Sequence, residues 1–103
     1  MIKFEKLNFP EEGEIITFSN GLATVPNYPI VPFIRGDGTG VDIWPATQKV
    51  IDAAVSIGYG ENKKINWFKV YAGDEACELY GTYNYLPKDT IDAIKHFGIA
   101  IKG

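Results

Sequence analysis

A glycine-rich loop between an apolar segment and a helical pattern constrains this chain more than any other feature. Residues 30–34 are apolar, glycine occupies positions 36, 38 and 40, and a helical pattern starts at Val41. A strand, a tight glycine turn and a helix are the arrangement in which α/β proteins bring backbone N–H groups close to a ligand. The residues leave two interpretations open: the loop contacts a ligand, or it only turns the chain.

The spacing within the loop excludes two common nucleotide-binding motifs. The loop reads Gly-x-Gly-x-Gly, whereas a Rossmann turn requires Gly-x-Gly-x-x-Gly and an acidic residue about 20 positions later. The chain also lacks the Gly-Lys-Ser or Gly-Lys-Thr of a P-loop. Lys102 is a second candidate, because it follows the apolar segment 99–101 and active sites of α/β proteins gather just beyond parallel strands.

The remaining patterns predict an α/β fold in which an N-terminal β-hairpin precedes a βαβαβ unit. Asn20-Gly21 between two β-rich runs is a strong hairpin signal, because both residues tolerate positive φ. Pro32 predicts an unpaired side or a bulge in its strand. The predicted elements are strands at 14–18, 22–25, 30–35, 65–71 and 99–101, and helices at 41–57, 74–79 and 87–98. Residues 1–13 are predicted to be a loose arm, and 14–103 an incomplete part of a large domain.

Two helices carry apolar positions at helical spacing. The first is predicted to have a broad apolar stripe, with polar residues opposite it at Asp42, Lys49, Asp52 and Ser56. The residues of this stripe are Ile43, Ala46, Val50, Ala54 and Ile57, widened by Val41, Trp44, Ile51 and Val55. The last is predicted to turn Ile91, Ile94 and Phe97 inward and to end at Gly98, and the strand after it is predicted to be buried.

Composition restricts the class of protein. The net charge of −3 is spread along the chain, so no nucleic-acid footprint is expected. No apolar run approaches the roughly 18 residues of a membrane span. The single cysteine, Cys77, fits a reducing compartment, and the cytoplasm is predicted. Cys77 and His96 are interpreted as structural, and no catalytic or metal-binding residue is assigned.

Several stretches resemble one family. Residues 29–42, 49–55, 64–67, 80–81, 86–87 and 100–103 are similar, in order, to the β-decarboxylating dehydrogenases, which oxidise isocitrate, isopropylmalate, homoisocitrate or tartrate. The hairpin most resembles the bacterial members that use NADP and isocitrate, because isopropylmalate dehydrogenases lack that extension. Arg35 stands where those relatives commonly have an acidic residue, and Thr39 where they commonly have isoleucine.

The resemblance implies oxidative decarboxylation of isocitrate to 2-oxoglutarate with reduction of NADP, by a full-length homodimer that requires Mg or Mn. It implies that catalytic, substrate-binding and metal-binding residues lie beyond residue 103. The expected cofactor-binding residues are Gly36, Asp37, Gly38, Thr39, Gly40 and Lys102. The alternatives are a homoisocitrate or 3-isopropylmalate dehydrogenase, and a non-catalytic binding or interaction module.

Overall fold

The computed structural model describes residues 3–103 and contains a β-hairpin, a parallel sheet and three α-helices. The hairpin consists of β1 (Thr17–Ser19) and β2 (Leu22–Thr24). The elements that follow are β3 (Ile30–Ile34), α1 (Gly40–Tyr59), β4 (Asn66–Val70), α2 (Asp74–Tyr80), α3 (Lys88–Phe97) and β5 (Ile101–Lys102). The predicted α/β class, a hairpin followed by βαβαβ, is confirmed.

The hairpin turns at the predicted dipeptide. Asn20 has φ of 52° and Gly21 has φ of 78°, the left-handed pair that a two-residue hairpin turn requires. β1 and β2 pair antiparallel, from Thr17 opposite Thr24 to Ser19 opposite Leu22. The local chemistry of the turn is therefore sufficient to set the register of this hairpin.

The parallel sheet has the strand order β4-β3-β5. All five residues of β3 are buried, and each pairs with one residue of β4, from Ile30 opposite Asn66 to Ile34 opposite Val70. β5 pairs with only the last two residues of β3. Pro32 thus has a neighbouring strand on one side alone, which agrees with the unpaired side that the proline predicts.

The last strand is shorter and more exposed than the sequence predicts. Residues 99–101 were expected to form a buried strand, but β5 comprises Ile101 and Lys102, both exposed. β5 is an edge strand, so within residues 3–103 no further strand covers its outer side. The prediction of a parallel strand is confirmed, and the prediction of its burial is wrong.

Some apolar residues of helix α1 pack against the sheet, and others remain exposed at the surface. The Trp44 ring stacks on Phe33 of β3 at 4.8 Å between centroids, and it packs edge-on to Trp67 of β4 at 5.2 Å. The Trp67 indole N–H donates a 2.9 Å hydrogen bond to Asp52, so this aspartate, predicted to lie opposite the apolar stripe, reaches the sheet. Residues of the predicted stripe that remain more than half exposed are Ile43, Val50 and Ile57.

The main core lies between the sheet and α3. Val70 of β4 and Ala93 and Phe97 of α3 are 0–1% exposed, and Phe97 packs against the Phe68 ring. Gly98 ends α3 with φ of 76°, as a left-handed C-terminal glycine should. Of the residues predicted to face inward, Phe97 is buried and Ile94 packs against the core, but Ile91 is 37% exposed.

The N-terminal segment is attached to α3. Phe4 lies in the core cluster, and the backbone N–H groups of Glu5 and Lys6 donate hydrogen bonds of 2.7 and 2.8 Å to the Asp89 carboxylate. The expectation of a loose arm is therefore wrong for this segment. The boundary between an arm at 1–13 and a domain at 14–103 stays a prediction.

Candidate functional site

The candidate site is the edge of the sheet at which the parallel strands end. Ile34, Val70 and Lys102 end the three strands at this edge, because parallel strands share one direction. The glycine loop leaves β3 here and enters α1, and Gly103 follows β5. The structure thus brings the glycine loop and Lys102 together, at the edge where open α/β sheets bind ligands.

Two glycines of the loop allow close backbone contacts. Gly36 has φ of +85°, and a Cβ placed on it would lie 2.8 Å from the carbonyl carbon and oxygen of Gly103. A Cβ on Gly40 would lie 2.5 Å from the Arg35 carbonyl oxygen. The Gly103 N–H donates a 2.7 Å hydrogen bond to the Ile34 carbonyl. A side chain larger than hydrogen at position 36 or 40 would push these segments apart.

Some of the backbone N–H groups at the start of α1 donate hydrogen bonds to carbonyl groups of the loop. The Gly40 N–H donates to the Asp37 carbonyl at 3.0 Å, and the Asp42 N–H donates to the Thr39 carbonyl at 3.1 Å. Among residues 3–103, the N–H groups of Gly38 and Thr39 donate to no carbonyl, and both residues are exposed. These two donors, beside the positive end of the α1 dipole, are available to an anionic group.

The Asp37 side chain faces away from α1 and toward the next helix. Its two carboxylate oxygens each lie 3.1 Å from the backbone nitrogen of Asp74, the first residue of α2. Gly73 precedes this nitrogen with φ of +79°, and a Cβ on Gly73 would collide with the same carboxylate. Asp37 therefore caps α2 from a distant part of the chain, a contact that the sequence does not reveal.

A small ion-pair network lies beside the loop. Glu75 accepts from Arg35 at 2.9 Å and from Lys69 at 3.0 Å through the same oxygen, Oε2. The buried Nε of Arg35 has no hydrogen-bond partner among the described residues. Arg35 and Lys69 thus share one carboxylate beside the loop, and the Asp37 carboxylate lies next to it at the start of α2. In the sequence, Arg35 stands out only because the similar dehydrogenases commonly have an acidic residue there, and no sequence pattern predicts this network.

Lys102 is exposed at the same edge. Its ammonium group donates a 3.1 Å hydrogen bond to the Gly103 carbonyl, and an ammonium group has three donors. The rest of its hydrogen-bonding capacity can therefore serve a bound anion. Lys102 and the N–H groups of Gly38 and Thr39 together present hydrogen-bond donors on one open surface.

A cavity lies at the opposite edge of the sheet, where the strands begin. It has a volume of about 380 Å³ and is lined by residues that include Tyr28, Asp52 and Lys63. None of its lining residues belongs to the glycine loop. We assign the candidate site to the loop edge despite this cavity, because the close-packed glycines and unpaired donors occur at the loop.

Within residues 3–103, no three His, Cys, Asp or Glu side chains come together as a metal-ligand group. The same residues contain no helix with the length and apolarity to cross a membrane. Cys77 is a partly buried thiol in α2, and the His96 ring packs edge-on against Phe97 of α3 at 4.9 Å.

The sequence is similar to several curated proteins over nearly its whole length. No protein-family profile matches the chain. It is 65% identical over 100 residues to an isocitrate dehydrogenase (NADP) of Nostoc sp., a match that covers 97% of this chain and 21% of that protein. A Synechocystis sp. protein of the same name matches with the same identity and coverage. The isocitrate dehydrogenase (NADP) of Archaeoglobus fulgidus is 50% identical over 103 residues, covering 99% of the chain and 24% of that protein.

These matches establish a relationship and its extent. The chain spans about a fifth to a quarter of the length of the curated relatives it matches. Identities of 44–65% across nearly all of the chain far exceed what a shared loop motif alone would produce. The chain is therefore a homologue of the NADP-dependent isocitrate dehydrogenases.

Proposed function

We propose that this chain belongs to an enzyme that oxidises isocitrate with NADP and decarboxylates it to 2-oxoglutarate. The observation that carries the proposal is the 65% identity over 97% of the chain to proteins named isocitrate dehydrogenase (NADP). The same relatives favour isocitrate over homoisocitrate and 3-isopropylmalate as the substrate, and they favour an enzyme over a non-catalytic module.

Within that enzyme, we propose that Gly36–Gly40 and Lys102 form one wall of the NADP site. The N–H groups of Gly38 and Thr39 are exposed and unengaged, and Lys102 presents a cation at the same edge, so the residues fit an anionic cofactor. Bound there, NADP would supply the hydride acceptor of the reaction. The chain's contribution is to hold the cofactor: small residues permit close approach, and the donors and Lys102 orient its negative groups.

The divalent ion, Mg or Mn, is proposed to be held by residues outside this segment. Within residues 3–103, no three His, Cys, Asp or Glu side chains form a metal-ligand group, so we propose no role for these residues in metal binding. We also propose a cytoplasmic homodimer that acts in the tricarboxylic acid cycle, and a large domain of which 14–103 is one part. Support for these points is the family resemblance alone.

The direct test is the activity of the purified enzyme that contains this chain. We expect reduction of NADP with isocitrate and Mg or Mn, with a higher kcat/KM than for homoisocitrate or 3-isopropylmalate. We also expect a higher kcat/KM with NADP than with NAD. A higher kcat/KM on another acid would replace the substrate assignment, and no turnover of any of the three would favour a non-catalytic module.

The Lys102 assignment has its own test. The substitution Lys102→Ala should raise KM for NADP about tenfold, the loss expected for one charge-assisted contact. Lys95→Ala removes another exposed lysine, in the last turn of α3, and should leave KM unchanged. If both variants behave alike, Lys102 does not contact the cofactor.

A further inference from the structure

We propose that the first turn of α2 clamps the glycine loop, and that Asp37 and Arg35 are positioning residues that hold Gly36 in place for the cofactor. The kinetic part of this inference rests on the proposed NADP function. Its structural part, that the side chains on both sides of Gly36 are tied to one helix, does not.

The clamp consists of two contacts to consecutive residues of α2. The residue before Gly36 is Arg35, whose guanidinium pairs with Glu75 at 2.9 Å. The residue after it is Asp37, whose carboxylate accepts the Asp74 N–H at 3.1 Å. The side chains of 35 and 37 thus reach the same helical turn from opposite sides of one glycine.

The contacts of Arg35 and Asp37 with α2 restrict the backbone conformation of Gly36. Glycine adopts positive and negative φ with similar ease, so its φ of +85° needs an external constraint to persist as the single conformer. The constraint matters because Gly36 lies directly against Gly103. If the backbone at Gly36 changed conformation, Lys102 and Gly103 would move, and so would the N–H groups of Gly38 and Thr39.

Helix α2 is itself anchored, which allows it to act as a rigid support. Lys69 of β4 makes a second ion pair with Glu75 at 3.0 Å, so the clamp is attached to the sheet. Ala76 is fully buried, and Tyr80 at the other end of α2 donates a hydrogen bond to Asp89. The close fit of Gly73 to Asp37 leaves little room for the carboxylate to shift.

The kinetic test compares three variants of the full enzyme. Asp37→Ala should raise KM for NADP about tenfold while kcat changes less than about twofold, because the loop loses its preferred conformation in the free enzyme. Asp37→Asn should recover most of that loss, because its amide oxygen can still accept the Asp74 N–H. The control Asp42→Ala removes an exposed carboxylate from the first turn of α1 and should leave both constants unchanged.

Two outcomes would overturn the clamp. If Asp37→Ala matches the Asp42→Ala control, the contact to α2 does not position the loop. If Asp37→Asn is as impaired as Asp37→Ala, the negative charge itself is required, which contradicts a role limited to hydrogen bonding.

Hydrogen exchange provides a readout that does not depend on turnover. In the full-length protein without cofactor, Asp37→Ala should speed amide exchange at Asp74 and at Gly40, whose N–H donates a hydrogen bond within the loop, at least fivefold relative to the Asp42→Ala control. Unchanged exchange at both sites overturns the clamp whatever the kinetics show. If the wild-type enzyme does not oxidise isocitrate, the proposed function fails, and the exchange experiment still decides the structural inference.

Discussion

The Tyr80 hydroxyl donates a 2.8 Å hydrogen bond to Oδ2 of Asp89, a carboxylate in a residue that is only 4% exposed. The same carboxylate accepts the backbone N–H groups of Glu5 and Lys6. Burial alone would raise the pKa of Asp89, but these hydrogen bonds outweigh it and hold the pKa below its usual value. Burial and the bond to Asp89 raise the pKa of Tyr80. One charged side chain therefore joins the N-terminal segment, α2 and α3.

Stability should depend on the ionisation of Asp89. The pKa of Asp89 is lower in the folded state than in the unfolded state, so the unfolded state binds the proton more readily. The contribution of Asp89 to the free energy of unfolding is therefore complete above the unfolded-state pKa of about 4. That contribution is lost as the pH falls through the folded-state pKa. We expect Asp89→Asn to lower the free energy of unfolding by about 2 kcal/mol at pH 7, because charge-assisted hydrogen bonds are lost. Denaturant titration of wild type and variant from pH 7 to pH 3 measures the difference.

The difference between the two proteins should be constant near neutral pH. It should shrink as the pH falls from about 4 through the folded-state pKa of Asp89, below which both side chains are neutral. Asp92→Asn is the control, because Asp92 lies on the same helix in a salt bridge with exposed Lys88. Exposed pairs contribute at most about 1 kcal/mol. An Asp89→Asn difference that did not vary with pH would contradict a stabilising role of the charge.

Removing the Tyr80 hydroxyl should weaken the same junction. Tyr80→Phe deletes one hydrogen bond to a buried carboxylate, and we expect a loss of about 1.5 kcal/mol in the free energy of unfolding at pH 7. Tyr85→Phe removes the hydroxyl of an exposed tyrosine and should cost less than about 0.5 kcal/mol. Equal losses in the two variants would show that the Tyr80–Asp89 bond adds nothing to stability.

Two glycines of the loop should tolerate alanine differently. Both Gly36 and Gly38 have positive φ, but a Cβ on Gly36 meets Gly103 at 2.8 Å, whereas a Cβ on Gly38 has no atom within 4 Å. Gly38→Ala should therefore cost about 1 kcal/mol from backbone strain alone. Gly36→Ala should cost more and should also raise KM for NADP, because it displaces the backbone beside Lys102. Thermal unfolding and steady-state kinetics of the two variants test this, and equal effects would mean that the contact with Gly103 is unimportant.

The 103-residue polypeptide expressed alone should be poorly stable and inactive. Ile43, Val50 and Ile57 leave an apolar stripe on α1 exposed, and β5 leaves an open sheet edge. We expect a broad thermal transition and no reduction of NADP with isocitrate and Mg. A sharp cooperative transition, or measurable turnover, would contradict this prediction.

The α1 stripe can be tested separately in that polypeptide. Val50→Lys should reduce its aggregation, because the substitution interrupts the exposed apolar stripe. Ser56→Lys adds the same charge to an exposed polar position of the same helix and serves as the control. Equal light scattering from the two variants would show that the stripe does not drive association.

Local elements were predictable because their signals lie within a few residues. Asn20 and Gly21 take the positive φ values that define the hairpin, and Pro87 and Gly98 bound α3 where they were expected. The adjacency of the glycine loop and Lys102 also followed from sequence, because parallel strands end at one edge. Each of these results depends on backbone preferences or on a general rule of sheet topology.

Long-range contacts were decided by the tertiary structure alone. Asp89 binds the N–H of Glu5 across 84 positions, and Asp37 binds that of Asp74 across 37, and no local pattern encodes either pair. Periodicity identified α1, but only packing of Trp44 against the sheet selected its buried face. The sequence by itself therefore determined which elements form and that the glycine loop and Lys102 share one edge of the sheet. The tertiary structure decided what holds that site in place, because hydrogen bonds and ion pairs between distant residues depend on how the finished elements pack.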